Sequence, residues 1–367
     1  MTHRERYIKT LTFGNPDRIP LMPGQPRRST LRRWRSEGLP EDANALQWVF
    51  DEAGVPEACS GFEGVALNTK MNPMYEEKVI SHENGHYLVQ DWQGAIVEIS
   101  DEFDVTYLRG ALDFVTRKYH KFPVETPADW AEMKKRYDRS DASRLPGEPQ
   151  KHSERPRKLQ MSGPFWQLRD WLGMENLCIA FLDEPEFVGE MIDYWREFTC
   201  TLLEKTLQTH TIDCLHISED MAYKAHSMIS PAHARQFLMP VWKAWADICT
   251  KFNVPVFDCD SDGYIGELIP LWIEAGINVC DPIEVAAHCD INEFRRQFGK
   301  KMGYTGGVDK RALAAGGQIM RDEIMRIAPV VEDGGYIPGC DHGVPPDISL
   351  GNFVEYTRML AELCGWR

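Results

Sequence analysis

The sequence contains no run of 18 apolar residues, so no membrane-spanning helix is expected. It has no CxxC pair and no dense cysteine framework; its ten cysteines are scattered from Cys59 to Cys364. That spacing reads as reduced thiols, mostly small buried hydrophobes, and not as disulfides. Neither GxGxxG nor GxxxxGK(S/T) occurs, which argues against a nucleotide cofactor. Positive charge is scarce: 41 Lys and Arg stand against 56 Asp and Glu, a net charge of −15. A chain this acidic has no general grip on phosphate backbones or anionic membranes, so neither nucleic acid nor membrane is an expected partner. The opening MTHRERYIKT lacks an apolar signal core, and the expected location is cytoplasmic.

What is present is enough apolar material for a large core: 43% of 367 residues. The length suits two ordinary domains or one α/β barrel with additions. Two stretches read as linkers, Pro123 to Pro127 and the charged, proline-rich Ser140 to Arg157. Near the front, Gly85 to Ser100 alternates apolar and polar residues on both sides of Gln93-Gly94, the pattern of a β-hairpin. Residues 60–157 therefore read as a hairpin and linker insertion within a single unit spanning 1–367.

From residue 158 onward, short strands alternate with helical stretches. LQMSG (159–163), CLHISED (214–220), VPVFDCDSDG (254–263), INVCDP (277–282), KMGYTGGVD (301–309) and GGYIPGCDHG (334–343) each precede a helix. With candidate strands at Arg18–Met22 and Val55–Cys59 there are eight units, which predicts a (β/α)8 TIM barrel carrying an N-terminal extension with the hairpin.

In such barrels the chemistry lies where strands end. The strands themselves read as apolar, and the polar residues gather at one end: Glu219 and Asp220, Asp260 and Asp262, Asp281 and Glu284, Asp309, Cys340 and His342. Each Asp alone is equally well read as a helix N-cap after a strand; the collection is what points to an active-site mouth. DCDSDG opens like a calcium loop, but position 269, where an EF-hand needs Glu, is Ile.

Three stretches resemble the uroporphyrinogen decarboxylase superfamily, which includes corrinoid-linked methyltransferases. They are RERYIKTLTFGNPDRIPLMPG (4–24), SEDMAYKAHSMISPAHARQFLMP (218–240) and IPGCDHGVPPDISLGNF (337–353), and with the barrel order between them the resemblance covers essentially the whole chain. It implies one of two chemistries. The decarboxylase branch uses no cofactor and binds the carboxylate arms of a tetrapyrrole through arginines. The methyltransferase branch resembles a zinc enzyme with ligands from an HxCG motif and a later Cys. Here the HxCG place holds Asp260-Ser261-Asp262-Gly263, Cys340 matches the later Cys, and His342 stands two residues on. The resemblance thus implies a zinc set of Asp260, Asp262, Cys340 and His342, with Glu219 as another candidate ligand. Oxygen in place of thiolate makes the metal more Lewis acidic, better suited to an ether or hydroxyl oxygen. Read alone, Cys340 is as well explained as a small buried residue, and His342 as a turn-fixing side chain.

Arg27 and Arg28 are candidate substrate contacts, while Arg32, Arg33 and Arg35 read as a solvated helix face. Trp166 and Tyr223 are candidate packing surfaces for a flat or apolar substrate, a role core packing explains equally well. The expected function is methyl transfer (O-demethylation) from a small methoxylated donor to a corrinoid, such as cobalamin, carried by a partner protein. Glu219 or Asp220 would orient substrate or supply a proton. The alternatives are a cofactor-free decarboxylase of an acidic aromatic or tetrapyrrole, and a non-catalytic barrel that binds a small molecule or corrinoid. Self-association into an oligomer is compatible with all three.

Overall fold

The computed structural model describes residues 1–102, 117–148 and 153–367; part of the Ser140–Arg157 linker lies outside them. The chain opens with the helix His3–Leu11, started by a capping box in which the Thr2 hydroxyl accepts from the Glu5 N–H while the Glu5 carboxylate accepts from the Thr2 N–H. After two further helices, Arg28–Ser36 and Ala45–Ala53, come β1 (Glu63–Val65), then β2 (Lys78–Glu83), β3 (His86–Gln90), β4 (Ile96–Ser100) and β5 (Lys118–Lys121). The remaining strands are β6 (Arg157–Ser162), β7 (Cys214–Ser218), β8 (Val256–Asp260), β9 (Val279–Asp281), β10 (Gly303–Val308) and β11 (Tyr336–Cys340), with helices between them.

Strands β1 and β6 to β11 form one parallel sheet in chain order, the arrangement of a (β/α)8 barrel. The eighth place is taken by the segment around Arg18–Met22. It runs extended beside β11, where the Cys340 N–H donates to Pro23 O and Pro26 bridges Val344. Pro20 and Pro23 have no N–H to give, so this edge makes isolated contacts in place of a ladder. The strand expected at Val55–Cys59 is a 3-10 turn, Pro56–Ala58, begun by another proline; the barrel strand is β1, a few residues later.

The expected hairpin is β3 and β4, paired Gln90 to Ile96 through His86 to Ser100. Its turn is organised by the fully buried Asp91, whose carboxylate accepts from the N–H groups of Gln93 and Ala95. β2 and β5 extend the pair to a four-stranded antiparallel sheet. The chain returning from that sheet is tied down by Arg144, fully buried, whose guanidinium donates to the carbonyls of Asp138, Lys70 and Arg136. Among the described residues, no helix is long and apolar enough to cross a membrane.

Alternation along the barrel strands sorts their residues into two layers. Leu159, Met161, Leu215, Ile217, Phe257, Cys259 and Cys280 point outward into the core shared with the helices. At the barrel floor Cys214, Val256, Val279 and Ile337 pack on Tyr7 and Leu11 of the first helix, which closes that end.

Candidate active site at the barrel mouth

Above this apolar floor the inward positions turn polar: Lys158 and Gln160 on β6, His216 and Ser218 on β7, Asp258 and Asp260 on β8, Asp281 on β9, Thr305 on β10. Above the floor the strands are therefore apolar on their outer faces and polar on their inner ones. A cavity of about 430 Å³ opens among them, lined by Lys158, His216, Asp260, Asp281 and Thr305 and, higher up, by Asp262, Cys340 and His342.

Two clusters of side chains stand in this space. At the mouth, His342 Nε2 lies 3.4 Å from Asp262 Oδ2. One ligand atom each from Asp262, Glu284 and His342 falls within 4.8 Å of the others. Glu284 is held in place because its carboxylate accepts from Gly263 N–H at 3.0 Å and from Lys310 Nζ at 3.1 Å. Asp341 fixes the neighbouring loops, accepting from the N–H groups of Val285 and Lys310. Burial raises the Asp262 carboxyl, with His342 opposing; burial also raises Glu284, but the Gly263 N–H and Lys310 outweigh that and leave it lowered.

Deeper in, His216 Nδ1 lies 2.7 Å from Asp258 Oδ2, and the Asp281 carboxyl completes a second group within 4.8 Å. Burial pushes Asp258 up, but the charge and hydrogen bond of His216 outweigh it and the net direction is down. Asp281 is pushed up to about 7, by burial first and then by the charge of Asp258. Asp260 is raised by burial and then by Asp281. Burial drives Lys158 down, yet the surrounding carboxylates, Asp258 first among them, prevail and hold it raised. The cavity is an acidic chamber with one lysine, a setting that favours a cation.

The zinc set expected from the sequence is half assembled. Asp262 and His342 meet, with Glu284 where sulfur was expected. Cys340 borders the cavity, but it joins the outer core with Tyr336, Val344 and Tyr356, and burial pushes its thiol up to about 12. Asp260 lines the chamber below Asp262 and belongs to neither cluster. Two carboxylates and an imidazole suit a borderline divalent metal such as zinc, so the mouth fits that ion without the cysteine.

Of the two expected catalytic acids, Glu219 is turned away from the chamber. It is fully buried, and its carboxylate accepts from the N–H groups of Phe165 and Trp166, at the start of the helix Pro164–Leu172, and from Trp242 Nε1. It anchors that helix. Asp220 pairs with Arg169 at 3.1 Å at the rim. Neither Arg27 nor Arg28 lines the chamber; Arg27 begins the helix Arg28–Ser36 and lies against Gly343. Trp166 stacks under the Arg169 guanidinium, in a separate cavity of about 720 Å³ beside the antiparallel sheet. Tyr223 is 72% exposed. Lys158, His216 and Asp258 had escaped notice, although polar residues at i and i+2 in His216-Ile217-Ser218 and Asp258-Cys259-Asp260 signal an inward polar face.

Residues 160–362 match the family model for uroporphyrinogen decarboxylase (URO-D). The uroporphyrinogen decarboxylase of Pseudomonas fluorescens is 31% identical over 96 residues, a quarter of this chain (25%) and 27% of that protein. That of Pseudomonas savastanoi pv. phaseolicola is 28% identical over 95 residues, with the same coverage. The chain thus spans about a quarter of the length of the curated relatives it matches. Among solved structures, a methyltransferase from Methanosarcina mazei has the same fold, with a TM-score of 0.58 at 12% identity and 99% of both chains covered.

Proposed function

This chain belongs to the uroporphyrinogen decarboxylase (URO-D) family, and from that premise we propose that it is a methyltransferase, moving a methyl group from a small methoxylated donor to the Co(I) of a corrinoid carried by a partner protein. The observation that carries this reading is the meeting of Asp262, Glu284 and His342 at the mouth of an acidic cavity. A tetrapyrrole presenting many carboxylates needs a cationic pocket. Lys158 is the one Lys or Arg among the described residues of this lining, against Asp260, Asp262 and Asp281, and about 430 Å³ is small for such a macrocycle.

In the reaction, Co(I) supplies the electron pair for the new Co–CH3 bond and becomes Co(III). The C–O pair leaves with the donor oxygen, which takes up a proton from water at the open mouth. An alkoxide is a poor leaving group, so whatever holds negative charge on that oxygen lowers the barrier. A metal held by Asp262, Glu284 and His342 would supply Lewis acidity there. Lys310 and the Gly263 N–H keep Glu284 aimed at the mouth, and Gly306, Gly339 and Gly343 line the cavity with backbone alone.

The test combines elemental analysis with an assay of methoxylated donors against a Co(I) corrinoid protein, read by the absorbance change on methylation. A stoichiometric metal, with turnover abolished by chelation and by Asp262→Ala, supports the proposal. A metal-free preparation that decarboxylates a tetrapyrrole in the presence of chelator overturns it.

A further inference from the structure

The inner cluster is not needed for a metal at the mouth, and its chemistry is incomplete by itself. Asp258 is 3% exposed. Its Oδ2 meets His216 Nδ1, but its buried Oδ1 receives no hydrogen bond from a donor group among the described residues, nor does Asp281 Oδ1; what each carboxyl has beside it is the other. Two buried carboxyl groups left this way cost on the order of 1–3 kcal/mol each unless something satisfies them. They can satisfy one another only by sharing a proton or by sharing a cation.

The obvious internal cation does not fill the place. Lys158 makes no ion pair within 4.0 Å among the described residues; its ammonium lies 5.1 Å from the centre of the Phe62 ring. It lowers the field of the carboxylates from a distance without bonding to either. An imidazole nitrogen and two carboxylate oxygens already stand within 4.8 Å of one another. Ligands bound at about 2.1 Å lie at most about 4.2 Å apart, so the atoms need draw in by less than about 1 Å. The three side chains come from β7, β8 and β9, adjacent strands of the rigid sheet; His216 and Asp281 line the cavity, and Asp258 is buried against them.

We propose that His216, Asp258 and Asp281 form a second divalent-cation site, inside the barrel and separate from the cluster at its mouth. One nitrogen and two carboxylate donors select a borderline ion, zinc or manganese, over calcium, which takes six to eight oxygens. The site stands whether or not the protein transfers methyl groups, because it rests on the geometry of this imidazole and buried carboxyl pair and not on the mouth.

The experiment is to strip the whole protein with chelator, titrate it with Zn²⁺ and with Mn²⁺, and count bound ions per chain by calorimetry and elemental analysis. Two zinc ions are expected for the wild type, one for Asp258→Asn and one for Asp262→Asn, each ion lost independently. Should Asp258→Asn not fold, judged by circular dichroism, Asp281→Asn serves the same purpose. Anomalous diffraction at the zinc edge from wild-type crystals locates the ions without any substitution. A single wild-type ion that Asp262→Asn removes, or two ions that both persist in Asp258→Asn, overturns the inner site while leaving the mouth intact. Loss of the mouth ion alone is the converse result: it defeats the methyl-transfer reading and leaves the inner site standing.

Discussion

A Cβ added to Gly163 would lie 2.1 Å from the carboxyl carbon of Glu219. Residue 163 has φ −69°, an ordinary value for any amino acid, so the glycine is there for space and not for backbone freedom. Glu219 cannot move aside cheaply, because Phe165, Trp166 and Trp242 all donate to it. Gly163→Ala is therefore expected to cost about 2–4 kcal/mol in urea denaturation. A loss under about 0.5 kcal/mol would show that the carboxylate is not held as described.

The same carboxyl group makes stability depend on pH. Burial pushes Glu219 up to about 8 from its ordinary 4.5, outweighing its three donors. The unfolded chain releases this proton first as pH rises. The stabilisation that comes from keeping it is thus complete below 4.5 and lost as pH climbs through 8, on the order of 2–5 kcal/mol in all. Glu219→Gln keeps an acceptor for the two backbone N–H groups but turns its NH2 toward Trp242, so it is less stable at low pH and carries no such slope. Denaturation from about pH 5 to 8 should show the gap between variant and wild type narrowing. A constant gap would mean that Glu219 is already ionised in the fold at pH 5.

Arg144 offers a test away from the chamber. Its guanidinium is fully buried and satisfies backbone carbonyls on both sides of the antiparallel sheet, Lys70 before it and Arg136 and Asp138 after it. Arg144→Met fills similar volume but leaves those carbonyls without donors. The expected loss is about 3–5 kcal/mol, with faster proteolysis near residues 68–75 and 136–145. Unchanged proteolysis there would show that the segment is held by other contacts.

The barrel was legible because its outward face is regular: Leu215 and Ile217, then Phe257 and Cys259, each followed by a helix. The hairpin was legible from Gln93-Gly94 between two alternating runs. Prolines hid the start of the barrel, since Pro20 and Pro23 weaken one edge and Pro56 bends the chain where a strand was expected. The mouth was half legible. Asp262 and His342 stood at strand ends, but which neighbour completes the group depends on facing. Cys340, two residues before His342 in the chain, ends β11 on its outward side, while Glu284 reaches in from the loop after β9. The inner cluster was missed because His216 and Asp258 alternate with the apolar residues of β7 and β8, and those apolar residues alone dominate the reading of the strands. Glu219 carries no sign in the sequence that it turns back toward Gly163, a contact made only once β6 and β7 are aligned.

That difference in facing supplies the sharpest test at the mouth. If the thiol of Cys340 belongs to the outer core, removing it leaves the donor set of Asp262, Glu284 and His342 untouched. Cys340→Ala should bind zinc at the mouth with wild-type affinity and lose only about 1 kcal/mol of stability, the cost of a small cavity beside Tyr356. His342→Ala removes the nitrogen donor from a half-exposed cluster and should weaken binding at least tenfold, with little change in stability, since the one hydrogen bond of that ring among the described residues is to the adjacent Asp341 carbonyl. The two affinities are measured side by side by competition with a chromogenic chelator. If instead Cys340→Ala loses zinc as His342→Ala does, the sulfur must swing inward on binding, and the ligand set implied by the family resemblance replaces the one with Glu284.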